Sequence, residues 1–221
     1  MVEPVNSSTV VTVDQLLLQG GNVALDFVNT VGGLRDDPPD PNDEALNHYA
    51  DVVHWCRRVE LFSARQASSL LRTAEADPRG AASAFDDVLA LRRLVYDVFR
   101  RLADGSRPRP ATLERLRDAE REALAHASFS PAGPRMRWTW RDTDDVRAPI
   151  WLIAHAAVEL LTHGPLERLK VCANCRWLFL DQSRNRSRRW CSMTDCGTAV
   201  KKERFVERRR SRRPGAARRP G

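Results

Sequence analysis

The chain has 221 residues, of which 42% are hydrophobic and 29% are charged. This balance is typical of a globular protein with its own core, and it argues against wholesale disorder. The longest apolar stretch, residues 150–161, is interrupted by His155 and Glu159, so we expect no membrane span. The first 14 residues lack the basic start and apolar centre of a signal peptide, which predicts a cytoplasmic protein.

The net charge of +7 is distributed unevenly along the chain. Residues 166–221 hold 17 Lys/Arg and 5 Asp/Glu, a net of +12, whereas the first 165 residues hold 19 and 24, a net of −5. This asymmetry favours a polyanion as the partner of the basic part, although a solvated basic tail would have the same composition. Residues 211–221 carry no apolar side chain larger than Ala, so we expect them to form a disordered basic tail.

Helical spacing of apolar residues dominates the first part of the chain. Residues 22–31 follow a Gly-Gly pair and fit either a buried strand or a short helix. A turn-rich acidic loop at 35–44 precedes helical spacing over 44–62. Ser63 is placed to cap a further helix that continues to about Ala76.

The spacing then predicts three longer elements and a strand. Residues 77–80 are expected to break the chain before the clearest amphipathic helix, residues 81–104. A second helix is predicted over 111–126. Alternation of apolar and polar residues over 135–141 predicts a half-buried strand. Residues 147–163 are apolar on most sides, which predicts a helix at the centre of the core.

Four of the five cysteines form two pairs, Cys172 with Cys175 and Cys191 with Cys196, separated by 15 residues. Two thiolate pairs at this separation can close a tetrahedron around one Zn²⁺, and four protein ligands leave no open position, so the metal is expected to be structural. Reduced structural cysteines or a redox C-x-x-C are the alternatives, but no βαβ pattern surrounds the first pair. Cys56 is expected to be a small core residue.

These elements predict a mainly α fold of the α+β class. Residues 1–165 are expected to form a helical domain with one or two short strands. Residues 166–210 are expected to form a small treble-clef-like zinc module, in which a knuckle leads into a strand at 176–180 and a helix follows at 198–212. Zinc would supply much of the folding free energy of this module.

The segment 171–201 resembles the CGNR zinc finger. It has the C-x-x-C knuckle, an F-x-D-x-S element at 179–183 and a W-C-S-M-x-x-C-G element at 190–197. Thr198 and Ala199 stand where that family has Asn and Arg. All four cysteines match, so the resemblance implies a zinc site, whereas contacts made by the Asn-Arg pair are not implied.

The segment G-N-V-A-L-D-F-V-N-T at 21–30 resembles the opening of the ABATE domain, which usually precedes this finger. That resemblance implies a stress-induced bacterial transcription regulator, with DNA as its partner. We therefore expect a zinc-dependent DNA-binding regulator. A zinc-stabilised protein-interaction module is the alternative from a different class, and RNA is the alternative nucleic acid.

Basic residues between the zinc pairs and in the last helix are the candidates for phosphate contacts. They are Arg184, Arg186, Arg188, Arg189, Lys201, Lys202, Arg204 and Arg208. Trp190 could stack on unpaired RNA bases, but we expect it to pack beside the metal. A protein-contact surface, docked onto the acidic body of the same chain or onto the second copy in a homodimer, would have the same charge.

The chain carries no recognisable catalytic motif, so we expect no enzymatic activity. An enzyme with a pocket in residues 20–160 is the least favoured hypothesis. Asp26, Asn29 and Thr30 could line a pocket for a small-molecule effector. They could also form a buried hydrogen-bond network, which we favour.

Overall fold

The computed structural model describes residues 12–140 and 143–211, except for the side chains of residues 203, 204 and 207–211. The basic tail was predicted at residues 211–221. Ser211 belongs to the last helix, and residues 212–221 lie outside the described residues. The helices are α1 Val23–Val28, α2 Tyr49–Arg58, α3 Ala64–Ala76, α4 Pro78–Ala103, α5 Pro110–Ala125, α6 Ala148–His163 and α7 Thr198–Ser211. The strands are β1 Ala127–Ala132, β2 Arg135–Trp140, β3 Leu169–Val171 and β4 Leu178–Leu180.

Helix α6 lies at the centre of the helical body and contacts α1, α2, α4 and α5. Its side chains Trp151, Ile153 and Ala157 are buried, as its nearly uniform apolar composition predicts. The predicted mainly α fold with short antiparallel strands is confirmed. Within residues 22–31, Val23–Val28 form the short helix α1, so the helical alternative for this segment is the correct one.

Local capping explains where α3 and α4 begin. Ser63 and Gln66 form a capping box at the start of α3, and Asp77 accepts a hydrogen bond from the Gly80 amide at 3.0 Å at the start of α4. The predicted break between two helices is found at Asp77, but residues 78–80, which were expected to belong to it, form the first turn of α4. Pro78 fits there since the first helical turn needs no amide donor.

An antiparallel hairpin joins β1 and β2, with Phe129 opposite Trp138. Strand β2 was predicted, but its partner β1 was not. The expectation that β2 is half-buried was wrong for most of the strand, since Met136 is 58% exposed and Phe129 on the partner strand is also 58% exposed. The base of the hairpin packs on the body, where Trp140 Nε1 donates to the Ala123 carbonyl at 2.9 Å.

A second antiparallel hairpin, β3–β4, packs on α1 and α4. Leu169, Val171, Leu178 and Leu180 belong to the same buried cluster as the body residues. The finger and the body therefore share one hydrophobic core. Within the described ranges, no helix has both the length and the apolar character that crossing a bilayer requires.

Candidate metal centre and basic surface

The four cysteines Cys172, Cys175, Cys191 and Cys196 converge, with all four Sγ atoms within 4.8 Å of one another. The Sγ atoms of Cys175 and Cys191 are 3.5 Å apart, and those of Cys191 and Cys196 are 3.6 Å apart. Four sulfurs at about 2.3 Å from a tetrahedral zinc lie about 3.8 Å from each other, so the cluster fits this ion. These distances between Sγ atoms are far longer than the S–S bond of a disulfide.

Short turns present these sulfurs. The knuckle after β3 is closed by the Cys172 amide, which donates to the Trp177 carbonyl at 2.9 Å. Cys196 lies in the turn Met193–Gly197 that leads directly into α7. Zinc binds cysteine as the thiolate, and a metal ion deprotonates the thiols that coordinate it.

Asp181 organises the loop between the two cysteine pairs. Its fully buried carboxylate accepts hydrogen bonds from Lys170 Nζ and Ser183 Oγ, both at 2.6 Å, and from the Arg188 amide at 2.9 Å. Burial would raise the pKa of Asp181, but these hydrogen bonds outweigh burial and hold the pKa well below its usual range. The loop is thus fixed by an ionised side chain at its centre.

Arg188, a predicted phosphate contact, is engaged within the protein. Its guanidinium donates to Gln19 Oε1 at 3.1 Å and to the carbonyls of Trp190 and Cys191, and it lies 4.7 Å from the Phe179 ring. The donation to Cys191 supports the backbone of a metal ligand. Arg188 is therefore placed to stabilise the finger rather than to face a partner.

Other predicted contacts lie at the surface. Exposed side chains are those of Arg184, Arg186, Arg189, Lys201 and Lys202. Arg186 makes a 3.5 Å ion pair with Glu167. The side chains of Arg204 and Arg208 lie outside the described residues, although their backbone belongs to α7. Trp190 packs against the cluster that contains Cys172, Phe179 and Cys191, as expected of a residue beside the metal.

Asp26, Asn29 and Thr30 lie in a buried hydrogen-bond network. Asp26 accepts from the Gly20 amide at 2.7 Å, and the Gly20 carbonyl accepts from the Leu180 amide at 2.9 Å. Asn29 donates to the Leu178 carbonyl at 2.8 Å and accepts from the Leu178 amide at 2.9 Å. The structure thus places Asp26 and Asn29 where they hold strand β4 of the finger.

Thr30 extends the network into the body. Its hydroxyl donates to the Phe27 carbonyl and accepts from Arg92, both at 2.8 Å. Arg92 is itself buried and forms an ion pair with Glu44. Asp26 Oδ1, Asn29 Oδ1 and Nδ2 and the Thr30 hydroxyl are therefore engaged by protein partners.

Arg35 supports the metal knuckle from the body, and sequence reasoning missed it. Its guanidinium donates to the Cys172 carbonyl at 3.0 Å. The two residues are 137 positions apart. The sequence around Arg35 is an acidic, turn-rich loop, so it contained no signal of a metal-supporting role.

Comparison with known families gives two matches. Residues 21–164 match the ABATE family model, described as "Putative stress-induced transcription regulator". Residues 168–209 match the CGNR zinc finger model. The chain belongs to the ABATE family. Among curated proteins, none matches it significantly.

In this ABATE protein the four clustered cysteines are the ligands of the CGNR finger, which binds one structural zinc ion. Four thiolates complete a tetrahedral coordination shell. The zinc ties the knuckle after β3 to the turn before α7, and Arg35 and Arg188 support the backbone around it. Outer contacts of this kind commonly tune metal affinity.

Proposed function

We propose that this ABATE protein is a transcription regulator whose CGNR finger binds duplex DNA through phosphate contacts. The observation that carries the proposal is the group of exposed cations around the zinc site. Arg184, Arg186 and Arg189 lie on a loop held by Asp181, and Lys201 and Lys202 begin the adjoining helix α7. A fixed set of positive charges suits the phosphate backbone, which contributes most of non-specific affinity.

The test is fluorescence anisotropy of the zinc-loaded full chain with random duplex DNA across a salt series. The triple variant R184Q/R186Q/R189Q is expected to bind more weakly. If all three arginines contact phosphate, the slope of log affinity against log salt becomes shallower by about 2.7, since each lost contact removes about 0.9.

A body variant with the same charge loss provides the control. R72Q/R79Q/R107Q replaces three arginines that are exposed on α3, α4 and the loop after α4. We expect it to bind DNA with the wild-type slope. No binding at low salt, or equal effects of the two triple variants, would overturn the DNA proposal.

A protein-interaction role is the second candidate, and the internal use of basic residues favours it. Arg188 and Lys170 form hydrogen bonds within the finger, so part of its basic charge is used internally. A partner that co-purifies after nuclease treatment and resists high salt would support this role.

We propose no catalytic activity for the metal, since the four cysteines fill its coordination shell.

A further inference from the structure

Arg176 is a buried cation without a partner anion. It follows the zinc ligand Cys175 in the knuckle and is only 7% exposed. Its Nε atom is buried without a hydrogen-bond partner. Within the described part of the chain, no carboxylate forms an ion pair with its guanidinium and no oxygen accepts a hydrogen bond from it. Arg92, which is also buried, has Glu44 as its counter-ion.

The surroundings of Arg176 are positively charged. Its guanidinium carbon lies 4.4 Å from the centre of the Tyr96 ring on α4. Burial is the largest cause that lowers the pKa of Arg176, and Arg92 and Arg100 on the same helix lower it further, against the opposing effects of Tyr96 and Glu44. The carboxylates nearby are already engaged, Glu44 by Arg92, and Asp36 and Asp104 by both Arg35 and Arg100. Arg176 is therefore the cation of this group that has no carboxylate as a counter-ion.

An unpaired guanidinium at this depth is unfavourable for the free protein. Arginine stays charged under all physiological conditions, so the cost cannot be relieved by deprotonation. Burying a charge without a counter-ion opposes folding, and the contact with the Tyr96 ring compensates for only part of that cost. A bound anion would supply the missing counter-charge.

We propose that Arg176 anchors a binding site for a small free oxyanion, a phosphate or carboxylate group, between helix α4 and the zinc knuckle. The planar guanidinium matches the oxygens of such a group in two parallel hydrogen bonds. Arg176 is directly bonded to a zinc ligand, and its carbonyl accepts a hydrogen bond from Tyr96 at 3.1 Å. An anion bound here therefore contacts the finger and the body together.

The test is the thermal unfolding of the zinc-loaded full chain with increasing inorganic phosphate, at an ionic strength kept constant with NaCl. A ligand that binds the folded state raises Tm as its concentration exceeds Kd. Wild type is expected to show this rise. R176M keeps an apolar stem against Tyr96 and removes the charge, so it is expected to lose the response, with an apparent Kd at least tenfold higher.

R93M is the matched control, since Arg93 is exposed on α4 next to Arg92 and the substitution is the same. It should respond to phosphate as wild type does. No Tm rise in wild type, or an equal rise in R176M, would overturn the proposal. If R176M does not fold, R176K serves instead. R176K keeps the charge but cannot form the bidentate hydrogen bonds of a guanidinium, so phosphate should raise its Tm less than that of wild type.

A measurement of DNA binding by R176M distinguishes a free anion from the phosphates of DNA as the ligand of this site. If the site takes a free oxyanion, R176M binds duplex DNA with the wild-type affinity and salt slope. A loss of DNA binding in R176M would assign the site to nucleic acid and overturn the proposal of a free ligand. Because Tm with phosphate is measured without DNA, this inference can fail or stand independently of the proposed DNA binding.

Discussion

Arginines that look equivalent in the sequence have different surroundings in the folded finger. Arg184 and Arg189 are exposed, whereas Arg188 forms hydrogen bonds with Gln19 and with the backbone beside the metal. All three lie in one six-residue run, so charge pattern alone could not separate them. Asp181 distinguishes them, because its carboxylate binds the Arg188 amide and fixes which part of the loop turns inward.

Asp26 provides a pH-dependent test of the buried network. Burial raises its pKa from 3.8 to about 6, against the opposing effects of the Gly20 hydrogen bond and of Arg58. The folded state therefore holds a proton more tightly than the unfolded state, and the free energy of unfolding contributed by Asp26 falls as pH rises from about 4 to about 6. D26N removes this penalty and keeps an oxygen for the Gly20 amide.

We expect D26N to be more stable than wild type at pH 7.5, by about 2–3 kcal/mol, and nearly equal to it at pH 4. Urea unfolding of both proteins at each pH measures the difference, and comparing the two cancels the pH dependence of the zinc site. A stability difference that does not change with pH would show that Asp26 is not the titrating group.

At the scale of elements, Asn29 at the end of α1 makes direct side-chain hydrogen bonds to strand β4. Asn29 satisfies both the amide and the carbonyl of Leu178, so N29A leaves two buried backbone groups without partners. Each such group costs about 1–3 kcal/mol, and we expect N29A to lower the free energy of unfolding by about 2–4 kcal/mol in urea titrations.

N42A is the matched control for this substitution. Asn42 is exposed and its amide group binds Asp40 locally, so its loss should change stability by less than about 0.5 kcal/mol. Equal effects of N29A and N42A would mean that the α1–β4 contact contributes little to stability.

Helices that begin at a capping residue or have a distinctive apolar pattern could be predicted from the sequence. Strands that form only because another strand pairs with them could not. The Ser63 cap predicts the start of α3, and the apolar composition of residues 147–163 predicts the central position of α6. Strand β1 contains Ser, Pro and Ala, which have weak strand propensity, and it forms because β2 pairs with it. Strand β3 has three residues, too few for a periodic pattern.

At the scale of the whole molecule, the zinc site and the body are expected to unfold together. Leu169, Val171 and Leu178 pack in the main core, so loss of the metal exposes surface of the body as well. We expect chelation by EDTA to lower the calorimetric Tm of the chain by at least about 10 °C in a single transition.

C56A is the control for this experiment. Cys56 is buried in the body and is not a metal ligand, so C56A should respond to EDTA as wild type does. A separate low-temperature transition for the finger, with the transition of the body unchanged, would contradict a shared core.

The spacing of the cysteines was sufficient to predict the metal ligands, because zinc coordination places strict limits on ligand spacing. The junction of body and finger could not be predicted in the same way. It joins Arg35 to Cys172 and Asn29 to Leu178 across more than half of the chain, and neither pairing leaves a pattern in the local sequence.

The hydrogen bonds between Asn29 and Leu178 can form only late in the synthesis of the chain. The two residues are 149 positions apart, so at 5–20 residues per second a ribosome needs about 7–30 s to make Leu178 after Asn29. During that interval α1 has no β4 to cover it, and the nascent body exposes apolar surface. A premature stop codon before residue 178 would therefore leave the cell with an incomplete, aggregation-prone body as well as a missing finger.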